Sequence, residues 1–336
     1  MATIAKPKTE MAVQSSLTER LGRFFNQETV LFLCLIVLGI VVNAINPRFL
    51  AQRNVLDILT NSAIIAVAAI GMSLVIISGN IDISVGSLIG VLATISGTLA
   101  VNSEAGGYPL WFSWVVPLIV GPLVGAFIGF LVAYLRIPAI VVSLGMMSIL
   151  QGGLIIATGG EWIYNLPDGY GIAQEKWFDI PVPIYFMVLL TIIAVLWMRY
   201  STTGRAIYAV GGNAEAARLS GISERRTLMM VFIINGFMVA IASVLFATKF
   251  NAIQSTVPPG IELQIITAAV VGGVSILGGI GTVIGSTLAA IFIQSIGSAM
   301  QFTRISDYWI QAVQGVLILI TVLVDLFRRR QMMRKG

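Results

Sequence analysis

The sequence predicts an all-α, polytopic membrane protein: a helical bundle of about ten transmembrane helices. Three observations carry this expectation. Of the 336 residues, 57% are hydrophobic and 10% charged, with a mean hydropathy of +0.94, which is more apolar surface than one water-soluble core buries. The apolar residues fall in runs of near-spanning length separated by short polar breaks. Those breaks hold the basic residues, and hold them unevenly.

Residues 1–28 are polar and mixed in charge, without the basic start, apolar core and small-residue cleavage site of a secretory signal, so they read as a cytoplasmic tail. Apolar runs follow at about 29–45, 56–78, 82–100, 111–135, 138–158, 183–198, 227–248, 263–276, 281–300 and 309–327. Together they define a transmembrane domain over 29–327, followed by a basic tail, 328–336. The eighth run is short, and the glycine-rich SILGGIG separates it from the ninth. No break is long enough for a soluble domain, so any soluble machinery belongs to another chain.

Orientation follows from the basic residues. With the N-terminus inside, cytoplasmic segments collect Lys6, Lys8, Arg20, Arg23, Arg136, Arg199, Arg205, Arg218, Arg225, Arg226, Arg328, Arg329, Arg330, Arg334 and Lys335, which is 15 of the 20. External segments keep Arg48, Arg53, Lys176, Lys249 and Arg304. Both termini are therefore expected in the cytoplasm. The net charge of +5 follows from this asymmetry, and no nucleic-acid partner is needed to explain it. With Cys34 alone and no histidine, the chain has no disulfide framework or thiolate metal site of its own.

Glycines mark close helix contacts. Gly121, Gly125 and Gly129 stand four apart in GPLVGAFIG, a flat stripe against which a neighbouring backbone can pack, with Gly125 at its centre. Gly86 and Gly90 in GSLIG and Gly281 and Gly285 in GTVIG share that spacing and suggest an internal repeat, although apolar helices rich in small residues also look alike by chance.

Charge is missing from 83–103, 105–135, 137–160, 180–198 and 227–248. Ion-coupled carriers generally place carboxylates or histidines in the membrane to bind the driving ion, and these spans do not. The sequence also lacks G-x-x-x-x-G-K-[ST], so a nucleotide-driven process would hydrolyse its nucleotide on a partner. Asp82, in SGNIDISVGS, is the exception; with Asn80 it is placed to cap the third helix, and a cap there can also shape a transport path. Further path candidates are Asn61, Ser87, Gln151, Asn235 and Gln264, with Gln294 among the wider polar set. Amides both donate and accept, which suits an uncharged polyhydroxylated solute, and equally suits bonds between helices.

The longest internal break, Arg199 to Arg226, reads RYSTTGRAIYAVGGNAEAARLSGISERR. Asn213 is a good helix cap, Glu215 suits the first turn, Ala214 to Leu219 favour helix, and Gly221 can end it. A short helix parallel to the membrane is expected, able to sit in a cleft of a soluble ATPase with Ala217 at the contact; the alternative is a basic connector lying on anionic lipid. The break from Gly159 to Val182 holds Glu161, Asp168, Glu175 and Asp179 against Lys176 alone, either a docking surface for an external protein or an ordinary solvated loop.

SGNIDISVGS, LRIPAIVVSLG, GRAIYAVGGNAEAARLSGI and TAAVVGGVSILGGIGTVIGS, in this order, resemble the ribose-type branch of bacterial ABC sugar permeases, over almost the whole chain beyond the N-terminal tail. The resemblance implies an ABC importer permease fold in the bacterial inner membrane and a transport subunit rather than an enzyme. It implies a second permease copy, as homodimer or paralogous heterodimer, one or two ATPase chains and a periplasmic substrate-binding protein. ATP would be used by the partner, with no cofactor on this chain. It also implies that the loop carrying Gly204, Arg205, Gly212, Asn213, Glu215, Ala217, Arg218 and Gly221 couples to the ATPase. LRIPAIVVSLG followed by ATGGEWIYNLP is most similar to permeases for autoinducer-2 and for rhamnose; ribose, xylose and erythritol stay open, since selectivity in such importers rests largely with the binding protein. A secondary carrier or facilitator is the second reading. It would need ion-binding groups within the spans, as a membrane enzyme would need a clustered catalytic set.

Overall fold

A computed structural model describes residues 27–306 and, beyond them, residues 309, 312–313, 315–321 and 323. Most of the expected N-terminal tail, the basic tail and much of the tenth run lie outside the described residues. The helices are α1 (Gln27–Ile45), α2 (Gln52–Ile77), α3 (Val85–Val101), the one-turn α4 (Ser103–Gly106), α5 (Phe112–Ala133), α6 (Ala139–Thr158), α7 (Val182–Tyr200), α8 (Thr202–Gly212), α9 (Ala214–Leu219), α10 (Glu224–Ala247), α11 (Ile261–Val271) and α12 (Val283–Phe302). Two short antiparallel ribbons decorate one end: β1 (Trp162–Ile163) pairs with β4 (Ile253–Gln254), and β2 (Lys176–Trp177) with β3 (Ile180–Pro181).

Seven of the described helices, α1, α2, α5, α6, α7, α10 and α12, are long and apolar enough to cross a membrane. The expected third and eighth spans are shorter. Helix α3 has 17 residues and α11 has 11, and a helix of 11 residues rises only ~16 Å against a hydrocarbon core of ~30 Å. Helix α11 stops where Gly272 and Gly273 follow, Gly273 with φ +97°, a conformation that ends a helix. Residues 82–84 belong to the turn before α3, not to the helix.

The bundle is built around α2. An 18-residue window of α2 is 94% buried, whereas α1 is 11% buried over its own. Alanine, glycine and serine keep α2 thin, so α7, α10, α11 and α12 all pack on it. The outer helices turn large apolar side chains outward, including Ile40, Leu123, Ile149 and Ile156. In water this surface would be unstable; in lipid it is the wetted surface.

The glycine stripe of α5 packs on α10. A Cβ at Gly125 would lie 2.2 Å from the Phe232 carbonyl oxygen, and one at Gly121 would lie 2.5 Å from that of Gly236. Only bare backbones fit there. The two similar pentapeptides do not share a register: Gly86 and Gly90 both lie in α3, against Glu262 and Val257, whereas Gly281 precedes α12 and only Gly285 lies in it, against Gly272. The repeat suggested by GSLIG and GTVIG is therefore not matched in position.

Candidate functional site

At one end of the bundle the chain leaves α7 and turns sharply into α8. The Gly204 amide donates to the Ser201 hydroxyl at 2.8 Å, and a Cβ at Gly204 would meet the Met198 carbonyl at 2.4 Å, so the corner needs both residues. Arg205 donates back to the Tyr200 carbonyl at 3.1 Å. Asn213 caps α9 through the Ala216 amide at 3.0 Å, and Gly221, at φ +81°, ends the segment. The short helix stands where its residues place it. Its faces differ from expectation: Ala217 is 4% exposed, covered by its own chain, so it is not free for an ATPase contact. The outward face carries the Glu215–Arg218 pair, 2.6 Å apart, and Leu219, 80% exposed.

Helix α8 is wedged into the bundle at its far end. The Gly279 amide donates to the Ile77 carbonyl at 2.8 Å, and a Cβ at Gly211 would lie 1.7 Å from that same oxygen. The Tyr208 hydroxyl donates to the Gly281 carbonyl at 2.8 Å. Three backbones thus meet at Gly211: the end of α8, the last residue of α2, and the loop between α11 and α12. Gly212 lies beside Gly279. Sequence reasoning missed Gly211 and Tyr208; the only local signal was the Gly-Gly pair before Asn213.

Asp82 occupies the turn between α2 and α3 and is 2% exposed. Its Oδ1 accepts from the Ser84 amide at 3.0 Å and the Ser84 hydroxyl at 2.5 Å, and its Oδ2 accepts from Asn235 Nδ2 at 2.9 Å. The expected cap of α3 is absent, since Ser84 is the N-cap residue and makes no side-chain cap bond. Asp82 instead shapes its own turn and ties it to α10, while Asn80 donates within the same turn to the Ser78 carbonyl. Asn235 is 1% exposed, and a Cβ at Gly71 would lie 2.7 Å from its Oδ1, an atom with no hydrogen-bond partner among the described residues. Ser87 is buried in the first turn of α3, its hydroxyl also without a described partner.

The opposite end holds a polar cavity of about 410 Å³, where the first turns of α2 meet α11, the last turns of α12 and the segment after α10. Asn61 and Gln264 both line it, although about 200 residues separate them in sequence. Gln294 Nε2 donates to Gln264 Oε1 at 3.1 Å, and Ser298 donates to Asn54 Oδ1 at 3.0 Å. Lys249, two residues beyond α10, donates to Asn61 Oδ1. Gln151 does not join this group: it is exposed on α6, beside the equally exposed Gly145 and Ser148. The structure therefore sorts the path candidates into a packed pair, Asp82 and Asn235, a lined cavity with Asn61 and Gln264, and two separate positions, Ser87 and Gln151.

Comparison with known proteins gives this architecture a family. The family described as branched-chain amino acid transport system, permease component, matches residues 54–322. The autoinducer 2 import system permease protein LsrC of Enterobacter is 37% identical over 301 residues, covering 89% of this chain and 87% of that protein. Its namesake in Klebsiella pneumoniae is 37% identical, covering 89% and 86%, and that of Photorhabdus laumondii is 33% identical, covering 89% of each. No solved structure matches the chain. The chain belongs to this family of transporter permease components, and is a transport subunit rather than an enzyme.

Proposed function

We propose that the chain is the membrane-spanning subunit of an ATP-driven importer in the bacterial inner membrane, passing a small sugar-like solute of the autoinducer-2 kind delivered by a periplasmic binding protein. The backbone junction at Gly211 carries this reading. A loop that merely connects two spans needs no such contact, whereas α8 touches both the end of α2 and the α11–α12 loop. A displacement of α9 by a bound ATPase would reach α2 and α12, and these helices line the polar cavity at the other end. The solute enters that cavity past Asn61 and Gln264, and the Asp82–Asn235 tie and Ser87 border its way onward between α3 and α10.

In this reading both termini and the Arg199–Arg226 loop are cytoplasmic, in keeping with 15 of 20 basic residues on that side. Ten crossings result if the non-helical segments beside α3 and α11 complete those two and the run 309–327 supplies the last. Glu161, Asp168, Glu175 and Asp179 are all exposed at the periplasmic end, where they offer acids to the binding protein. A second permease copy against α6 would take Gln151 out of lipid, and lipid covers the remaining apolar faces. ATP is bound and hydrolysed by the partner ATPase.

The outward face of α9 supplies the test. Leu219→Glu changes an exposed residue, so the permease should express and assemble normally while the ATPase no longer copurifies and uptake stops. Unchanged copurification and uptake would return the loop to a connector on the lipid surface.

A further inference from the structure

We propose that the cavity at the periplasmic end is a recognition site for an uncharged polyhydroxylated solute, and that Lys249 sets its preference for neutral over cationic solutes. The proposal rests on the importer reading above but concerns a residue that reading does not use. By position alone Lys249 is a basic residue just past a span, of the sort that snorkels to water. Its side chain turns inward instead, to Asn61 in the third turn of α2, with its ammonium 5.1 Å from the centre of the Phe250 ring. Burial lowers this ammonium from its ordinary value, and the Asp57 carboxylate pulls it back up.

The cavity's remaining groups define what it can take. Ser298 donates to Asn54 Oδ1, and Asn54 Nδ2 donates to the Phe49 carbonyl at 2.7 Å, so these two residues form wall. The amide hydrogens of Asn61 and Gln264 and the carbonyl oxygen of Gln294 have no partner among the described residues, so both donors and acceptors face the space. Among the described residues, Asp57 and Lys249 are the only charged ones in its lining. A polyol meets this set without leaving a charge uncompensated: its oxygens accept from Lys249 and the amides, and its hydroxyls donate to Asp57 and Gln294. A solute ammonium would sit near Lys249, with one carboxylate shared between two cations. Like charges in a cavity screened less than bulk water repel strongly enough to decide selectivity.

A thiol at the exposed rim reports occupancy. Gln301→Cys in a Cys34→Ser background, purified in lipid nanodiscs, is labelled with maleimide in the presence of D-ribose, ribitol or D-glucosamine. Ribose and ribitol should protect, and the cationic glucosamine should need at least tenfold higher concentration. Lys249→Gln keeps a donor for Asn61 but no charge, and should erase that difference; Lys249→Arg should retain it. Equal protection by all three solutes without substitution, or discrimination surviving in Lys249→Gln, overturns the proposal. Absence of any protection alongside normal ATP-driven uptake also overturns it and leaves the importer reading standing. Protection as expected with no ATP-driven uptake would uphold the cavity assignment and sink the importer reading.

Discussion

Gly125→Ala tests the packing that holds the path helices together. The added methyl would start 2.2 Å from the Phe232 carbonyl oxygen, and to reach even 3.0 Å, the lower limit of real contacts, α5 must retreat by about 0.8 Å. The obstacle is backbone, which no rotamer change relieves. A rigid retreat also opens the neighbouring contacts of Gly121 with Gly236 and of Gly129 with Phe232. Overpacking costs ~1–3 kcal/mol, and a backbone obstacle puts this case in the upper part, about 2–3 kcal/mol; alanine's helix propensity returns about 1 kcal/mol, so a net loss of about 1–2 kcal/mol is expected. Gly125→Leu should cost more and disrupt assembly. Gly145→Ala is the control, because a Cβ there meets nothing within 4 Å. Thermal unfolding followed by size-exclusion in detergent should show Gly125→Ala several degrees below the unsubstituted chain and Gly145→Ala level with it or above. Equal midpoints for the two variants would refute the close-contact argument.

Two further substitutions probe the turn and the orientation. Asp82→Ala strands the donors of Ser84 and Asn235 in a buried turn, at roughly 1–3 kcal/mol per unsatisfied group, so thermal stability should fall clearly and uptake with it; undiminished stability would show the turn holds without the carboxylate. Glu215→Cys in a Cys34→Ser background should resist a membrane-impermeant thiol reagent in intact cells and react after the inner membrane is opened, while labelling in intact cells would reverse the topology and remove the coupling assignment.

What the sequence made legible depended on how local each cause is. Asn213 and Gly221 were readable as cap and stop because each acts on neighbours within a few residues. The long apolar runs were readable because lipid imposes length and composition together. Hydropathy does not register that Gly272 and Gly273 cut α11 short, since glycine is nearly neutral on such scales while its backbone freedom ends the helix. The inward turn of Ala217 depends on which side of a six-residue helix meets the bundle, and six residues carry too little periodicity to say. Asn61, Gln264 and Gln294 were visible as polar residues in apolar runs, but their convergence requires the packing of α2, α11 and α12. Gly211 and Lys249 were hidden for the same reason: their partners, Ile77, Gly279 and Asn61, lie far away in sequence.

The measurement that bears most directly on the account is solute uptake by the purified permease in proteoliposomes, with the ATPase and the periplasmic binding protein added or withheld. Labelled autoinducer-2 should accumulate against its gradient only when the binding protein, the ATPase and hydrolysable ATP are all present, and Leu219→Glu should abolish that accumulation. Equilibrative entry of the solute through the permease alone, indifferent to ATP and to the binding protein, would contradict the account and make the chain a facilitator.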